Sequence, residues 1–153
     1  GRSHILALLL EGLDADVQAG GSALGKALAG TGRLLKRRSL ILVFSDFLCM
    51  DWEWELARLS RDHDVIAVRI SDPLDTEMPD LGLLQVRDPE TGIELQAPSG
   101  FRSFRKAWEQ RNNERTDAFM TFCKRHGTAY LEISTQDDPA AEFSRFFGRR
   151  RKA

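Results

Sequence analysis

Metal-binding and thiol side chains are scarce in this sequence. Three histidines (His4, His63 and His126) stand without ligand-like spacing, and Cys49 and Cys123 belong to no C-x-x-C pair, so the usual zinc sites are excluded. Two cysteines cannot build a disulfide framework, which makes a reducing compartment the expectation. Long hydrophobic runs are missing as well. The longest, Ile5–Leu10 and Leu40–Phe44, fall far short of the ~20 residues a membrane helix needs. The first residues carry no basic stretch followed by a small-residue cleavage site, so a cytoplasmic protein with no membrane segment is expected. Nor does one charge dominate: 22 Lys+Arg against 23 Asp+Glu give a formal net charge of −1, which provides no general field for nucleic acid. The nucleophile-elbow, P-loop and dinucleotide fingerprints are absent, and Gly25-Lys26 lacks the preceding strand that a P-loop demands.

What remains is the composition of a folded domain, 42% hydrophobic and 29% charged over 153 residues. A chain of this size buries about 68–70% of its unfolded surface, enough for one core. Three apolar runs, Leu40–Phe44, Val65–Ile70 and Ala129–Ile133, read as strands covered on both faces. Helical patterns lie between and around them: Ile5–Leu10 closed by Gly12, Ser22–Lys36, Trp52–Arg61 capped by Asp51, a long segment from Phe101 to Gly127, and a last helix from Asp138-Pro139 to Gly148. Strands alternating with helices imply crossovers and hence a mainly parallel, doubly wound α/β sheet. One segment departs from the alternation. Leu84–Arg87 and Ile93–Gln96 alternate apolar and polar residues around Asp88-Pro-Glu-Thr-Gly92, the pattern of an inserted β-hairpin. The ending at 149–153 reads as a solvated basic tail.

Open parallel sheets bind ligands outside the carboxyl ends of their strands. The residues there are Ser45-Asp46, Ser71-Asp72 and Ser134-Thr135, hydroxyls and carboxylates of the kind a hard cation such as Mg²⁺ selects. Asp72 before Pro73, Asp137 and Asp138 read as turn and cap residues, whereas Asp46 has no evident local role because Asp51 is better placed to start the next helix. Trp52 and Trp54 lie two apart on one helix and face different directions; one packs on the sheet while the other reaches the strand-end rim. The partner-binding rim is assigned to Ser45, Trp52, Ser71 and Asp72.

Gly20-Gly-Ser-Ala-Leu-Gly-Lys-Ala-Leu28, Arg37-Arg-Ser-Leu-Ile-Leu-Val-Phe-Ser-Asp-Phe47 and His63-Asp-Val-Ile-Ala-Val-Arg-Ile-Ser-Asp-Pro73 resemble the bacterial domain-of-unknown-function 58 family. The hairpin around Asp88–Gly92, Leu131–Thr135 and Phe146-Phe147 agree in order. The resemblance implies a von Willebrand factor A-like, Rossmann-like fold with a metal-ion-dependent adhesion site. In that site Ser22 would stand at the hydroxyl position and Asp46 at the late aspartate. No Asp-x-Ser-x-Ser loop occurs in these 153 residues, so residues 1–153 read as one partial domain lacking the fold's first three strands. No cofactor is expected in this stretch, and Mg²⁺ would belong to the full-length protein.

The resemblance also implies a non-enzymatic protein-interaction module, partner of a MoxR-type AAA+ ATPase. If the strand at 40–44 lacks its neighbour, its edge is expected to pair with a second copy in a homodimer. The alternative is a receiver-like phospho-accepting domain at Asp46, but Ser134-Thr135 replaces the Lys such chemistry requires. Nucleic-acid binding through Arg102, Arg105, Lys106 and Arg149–Lys152 ranks last, because the acidic residues balance the basic ones.

Overall fold

A computed structural model describes residues 24–87 and 92–151. The helix expected at Ile5–Leu10, the hydroxyl of Ser22 and the tip of the hairpin lie outside them. Helix α1 (Leu24–Leu34) leads into β1 (Leu40–Ser45), α2 (Glu53–Asp62) and β2 (Asp64–Ser71). A single-turn α3 (Pro73–Thr76) precedes the hairpin strands β3 (Leu83–Arg87) and β4 (Glu94–Pro98). The long α4 (Arg102–His126), β5 (Ala129–Ser134) and α5 (Pro139–Arg150) complete the order.

The sheet is three-stranded and parallel in the order β1-β2-β5, with Leu42 opposite Ile66 and Val68 opposite Leu131. β2 therefore sits centrally, and its continuous apolar run is buried on both sides. On one face Val43, Val65 and Ala67 pack against Leu28 of α1, Leu56 and Leu59 of α2, and Phe119 and Cys123 of α4. On the other, Ile66, Val68, Leu131 and Ile133 meet Phe143, Phe146 and Phe147 of α5. The mixed α/β architecture with helices on both faces matches the sequence expectation, and so does the antiparallel hairpin.

β1 departs from that expectation. Only its inward residue Val43 is buried; Leu40, Leu42 and Phe44 stand on the α5 side of the sheet and are exposed, because α5 lies over β2 and β5 and reaches towards β1 with the Phe44–Phe143 ring pair. Three further expectations are corrected. Asp51 does not cap α2: it adopts a left-handed conformation (φ 66), and the helix starts after Trp52 with no side-chain cap. The tight approach of α1 accounts for this arrangement, since a Cβ on Gly25 would sit 2.3 Å from the Asp51 carbonyl oxygen. Gly148 does not end α5, which continues through it to Arg150. The basic ending is accordingly part of a helix as far as Arg150, whose guanidinium pairs with Asp64 at the start of β2. Gly127, by contrast, closes α4 in the left-handed conformation (φ 67), as its position predicts.

Among the described residues no helix is long and apolar enough to cross a membrane. The fully buried thiol of Cys123 has its pKa pushed up to about 12 by burial.

Candidate functional site at the carboxyl edge of the sheet

Parallel strands deliver their last residues to one rim, so Ser45-Asp46, Ser71-Asp72 and Ser134-Thr135 share an edge of the molecule. Asp72 and Thr135 are joined directly. The Thr135 hydroxyl donates to Asp72 Oδ2 (3.1 Å), and the Thr135 N–H donates to the Ser71 carbonyl (2.9 Å). Asp72 also caps α3: its Oδ1 accepts from Leu74 N–H (2.9 Å), and Asp75 Oδ2 accepts from Asp72 N–H in return (3.0 Å).

Asp46 has a local role that the sequence reading missed. Its Oδ1 accepts from Leu48 N–H (3.0 Å), just as Ser45 Oγ accepts from Phe47 N–H (3.0 Å). The pair holds a tight loop in which Phe47 (φ 55) and Asp51 (φ 66) both occupy the left-handed region. Such non-glycine residues cost on the order of 1–3 kcal/mol each and persist only where the surroundings over-determine them. Here Phe47 is pinned inside by the rings of Trp52, Phe119 and, through Phe119, Tyr130. Leu48 and Met50 are turned outward, and Met50 is 82% exposed.

Ser45 Oγ, Asp46 Oδ1, Asp72 Oδ1 and Ser134 Oγ thus each accept from a backbone N–H, and Asp72 Oδ2 accepts from the Thr135 hydroxyl. Among the described residues no group of three or more His, Cys, Asp or Glu could hold a metal ion. Ser22, the other half of the expected site, lies outside those residues, and the described donor set does not fit a cation site by itself.

Trp52 is corrected from rim to core. It is 5% exposed, packed edge-on against Phe47 and Phe122 at centroid distances of 5.0 Å. Trp54, two residues on and on the opposite side of the helix, is the exposed member of the pair.

What the sequence reading did not find is the roof over this edge. α4 has 25 residues and spans about 38 Å, roughly twice the ~20 Å of a six-residue strand. Its second half packs on the sheet through Phe119 and Cys123, and its first half overhangs the rim. A buried cation anchors that overhang. Arg69 of β2 is 3% exposed; it donates to Glu132 Oε1 (2.6 Å) and to Asn112 Oδ1 of α4 (3.2 Å). Asn112 donates onward to the Thr76 hydroxyl (3.2 Å), and Trp108 Nε1 donates to the Leu74 carbonyl (3.0 Å). Partners 43 and 63 residues apart leave no local signal in a sequence.

Two recesses open beside α4, one under the overhang and one against the start of the packed half. One, about 220 Å³, is lined by Leu48, Asp75, Trp108, Arg111, Asn112 and Arg115. The other, about 390 Å³, lies among Phe47, Leu48, Trp52, Phe119 and Phe122, with Glu53 and Arg115 on its walls. A third hollow, of about 540 Å³, carries both signs of charge and includes Arg102, Arg105 and Lys106. There Arg105 is already paired with Asp80 and the Ser99 carbonyl, so the basic set expected for nucleic acid is partly neutralised.

The chain belongs to a family of proteins of unknown function, DUF58, whose model matches residues 1–118. It is 32% identical over 133 residues to the uncharacterized protein MAV169 of Mycobacterium avium, covering 84% of this chain and 76% of that protein. Uncharacterized proteins of Mycobacterium bovis (Mb1516) and Mycobacterium tuberculosis strain H37Rv (Rv1480) are each 30% identical over 133 residues. The matched stretch is 41% of the length of each of those two, so the chain spans about two fifths of them. No solved structure matches.

Proposed function

We propose that this DUF58 domain is a non-enzymatic protein-interaction module that docks its partner at the carboxyl edge of the sheet, in the manner of a von Willebrand factor A-like domain. One observation carries the reading. A loop with two left-handed non-glycine residues holds Leu48 and Met50 outward, beside recesses roofed by α4. Exposed apolar groups beside a preformed cleft are the anatomy of a docking surface. Ser45 Oγ, Asp46 Oδ1 and Asp72 Oδ1 each accept a backbone N–H two residues on, which fixes the shape of the edge that the partner meets. The family resemblance supplies the first partner to test, a MoxR-type AAA+ ATPase.

The experiment places the photo-crosslinker p-benzoylphenylalanine at position 48 or at position 38 of the full-length protein in its own cells. The expected result is a protein adduct from position 48 and none from position 38, at the other end of the sheet. Equal adducts from both, or none from 48, would overturn the reading.

A second reading has its own observation. Among the described residues β1 pairs with β2 alone, and it exposes Leu40, Leu42 and Phe44 beside a free hydrogen-bonding edge. Such an edge is a template for another strand, and we propose a second copy of this chain as its partner. Light scattering at micromolar concentration is expected to give a dimer that Leu42→Lys dissociates. A monomeric parent would refute it.

A further inference from the structure

The two recesses at the carboxyl edge are neighbours that share Leu48 and Arg115 in their linings. Trp108, Arg111 and Arg115, at i, i+3 and i+7, form one stripe of α4 above them. Arg111 and Arg115 are exposed and, like several other described arginines, stand in none of the described ion pairs; what sets them apart is that they line the recesses. Asp75 shares the smaller recess, but its Oδ2 is held by Asp72 N–H. The larger recess is floored by Phe47, Trp52, Phe119 and Phe122 and has room for a leucine or phenylalanine side chain.

Cationic and apolar subsites thus lie side by side. We propose that they take a short acidic peptide segment of the partner protein, with an apolar side chain in the aromatic recess and a neighbouring carboxylate on Arg111 and Arg115. Guanidinium groups bind carboxylates through paired, charge-assisted hydrogen bonds. Asp75 and Glu53 flank the two arginines, so the site suits a discrete carboxylate rather than the continuous charge of a nucleic acid. The inference rests on the docking reading above and specifies the partner's chemistry.

The test is fluorescence polarisation with two labelled peptides on the same Gly-Ser frame, one carrying Glu-Glu-Leu-Phe and the other Lys-Lys-Leu-Phe. The acidic peptide is expected to bind at least tenfold more tightly. Arg111→Gln with Arg115→Gln is expected to equalise the two, and Arg111→Glu with Arg115→Glu to invert the preference. Both positions are exposed, and thermal melts of each variant confirm that it is folded. Equal affinities for the parent, no binding of either peptide at millimolar concentration, or an acidic preference that survives charge reversal would overturn the proposal. Its failure is separable from that of the docking reading. An undiminished adduct from position 48 in the Arg111→Gln, Arg115→Gln background removes the acidic motif and leaves docking standing, whereas loss of that adduct in the parent removes docking itself.

Discussion

The two ends of the sheet are built differently. At the amino end, polar groups bind across elements. Ser39 N–H donates to Nδ1 of the buried His63 (3.3 Å), Asp64 N–H donates to the Ser39 carbonyl (2.8 Å), the Ser60 and Thr128 hydroxyls share a bond (2.7 Å), and Arg150 pairs with Asp64. A broad hollow of about 520 Å³ lies there, bordered by Thr128, Tyr130, Phe146, Arg149 and Arg150, yet Arg150 is already occupied. At the carboxyl end, Ser45, Asp46 and Ser134 each bind backbone no more than three residues away, and the loop after β1 turns Leu48 and Met50 to solvent. The carboxyl edge has cross-element bonds of its own, from Thr135 to Asp72 and from Arg69 through Asn112 to Thr76, so the contrast lies in the loop after β1, which is stiffened only locally and left open. The difference teaches that order in that loop serves presentation more than cohesion.

That contrast can be pressed first in the core between the ends. Ile66 is fully buried on the α5 side, and Ile66→Ala is expected to cost about 2–5 kcal/mol in urea unfolding. Leu48, 50% exposed at the carboxyl edge, is expected to tolerate Ala at less than about 0.5 kcal/mol while losing its partner. A loss above 2 kcal/mol at Leu48 would mean that the loop supports the fold rather than a partner.

The cysteines sharpen the same comparison. Cys123 sits in the core and takes its pKa from 9.0 to about 12, whereas Cys49 lies half-buried in the edge loop. Above pH 9 the unfolded chain releases the Cys123 proton that the native protein keeps. The stability this thiol confers is therefore complete below pH 9 and declines from pH 9 towards 12, by up to about 1.4 kcal/mol per pH unit. Unfolding followed against pH should show that slope vanish in Cys123→Ala. In the folded protein at pH 8, a disulfide reagent should modify Cys49 and spare Cys123.

Smaller effects separate the hydrogen bonds of the two ends. Thr128→Val removes the cross-element bond to Ser60 and is expected to cost about 1 kcal/mol. Asp46→Ala removes a bond that is exposed, and is expected to cost about half as much in chemical denaturation.

The parallel sheet, the hairpin and the long helix were legible because each rests on a local pattern: continuous apolar runs, alternation around a Pro/Gly turn, and aromatics at helical spacing closed by Gly127. The strand-end rim was legible from the parallel order alone. The roof over it was not, since Arg69 reads as a polar interruption in a strand until the fold brings Asn112 and Glu132 to it. Trp52 was misplaced because two tryptophans on one helix reveal that they diverge but not which one turns inward; Phe47, Phe119 and Phe122 decide that. Asp51 failed as a cap because the close approach of Gly25, which no propensity describes, accompanies its left-handed backbone.

Hydrogen–deuterium exchange on the full-length protein, with and without the partner recovered at position 48, tests the docking edge most directly. Slower exchange confined to residues 46–51 and 108–115, with 36–39 and 127–129 unchanged, is the predicted result. Protection at the amino end, or along β1 alone, would contradict it.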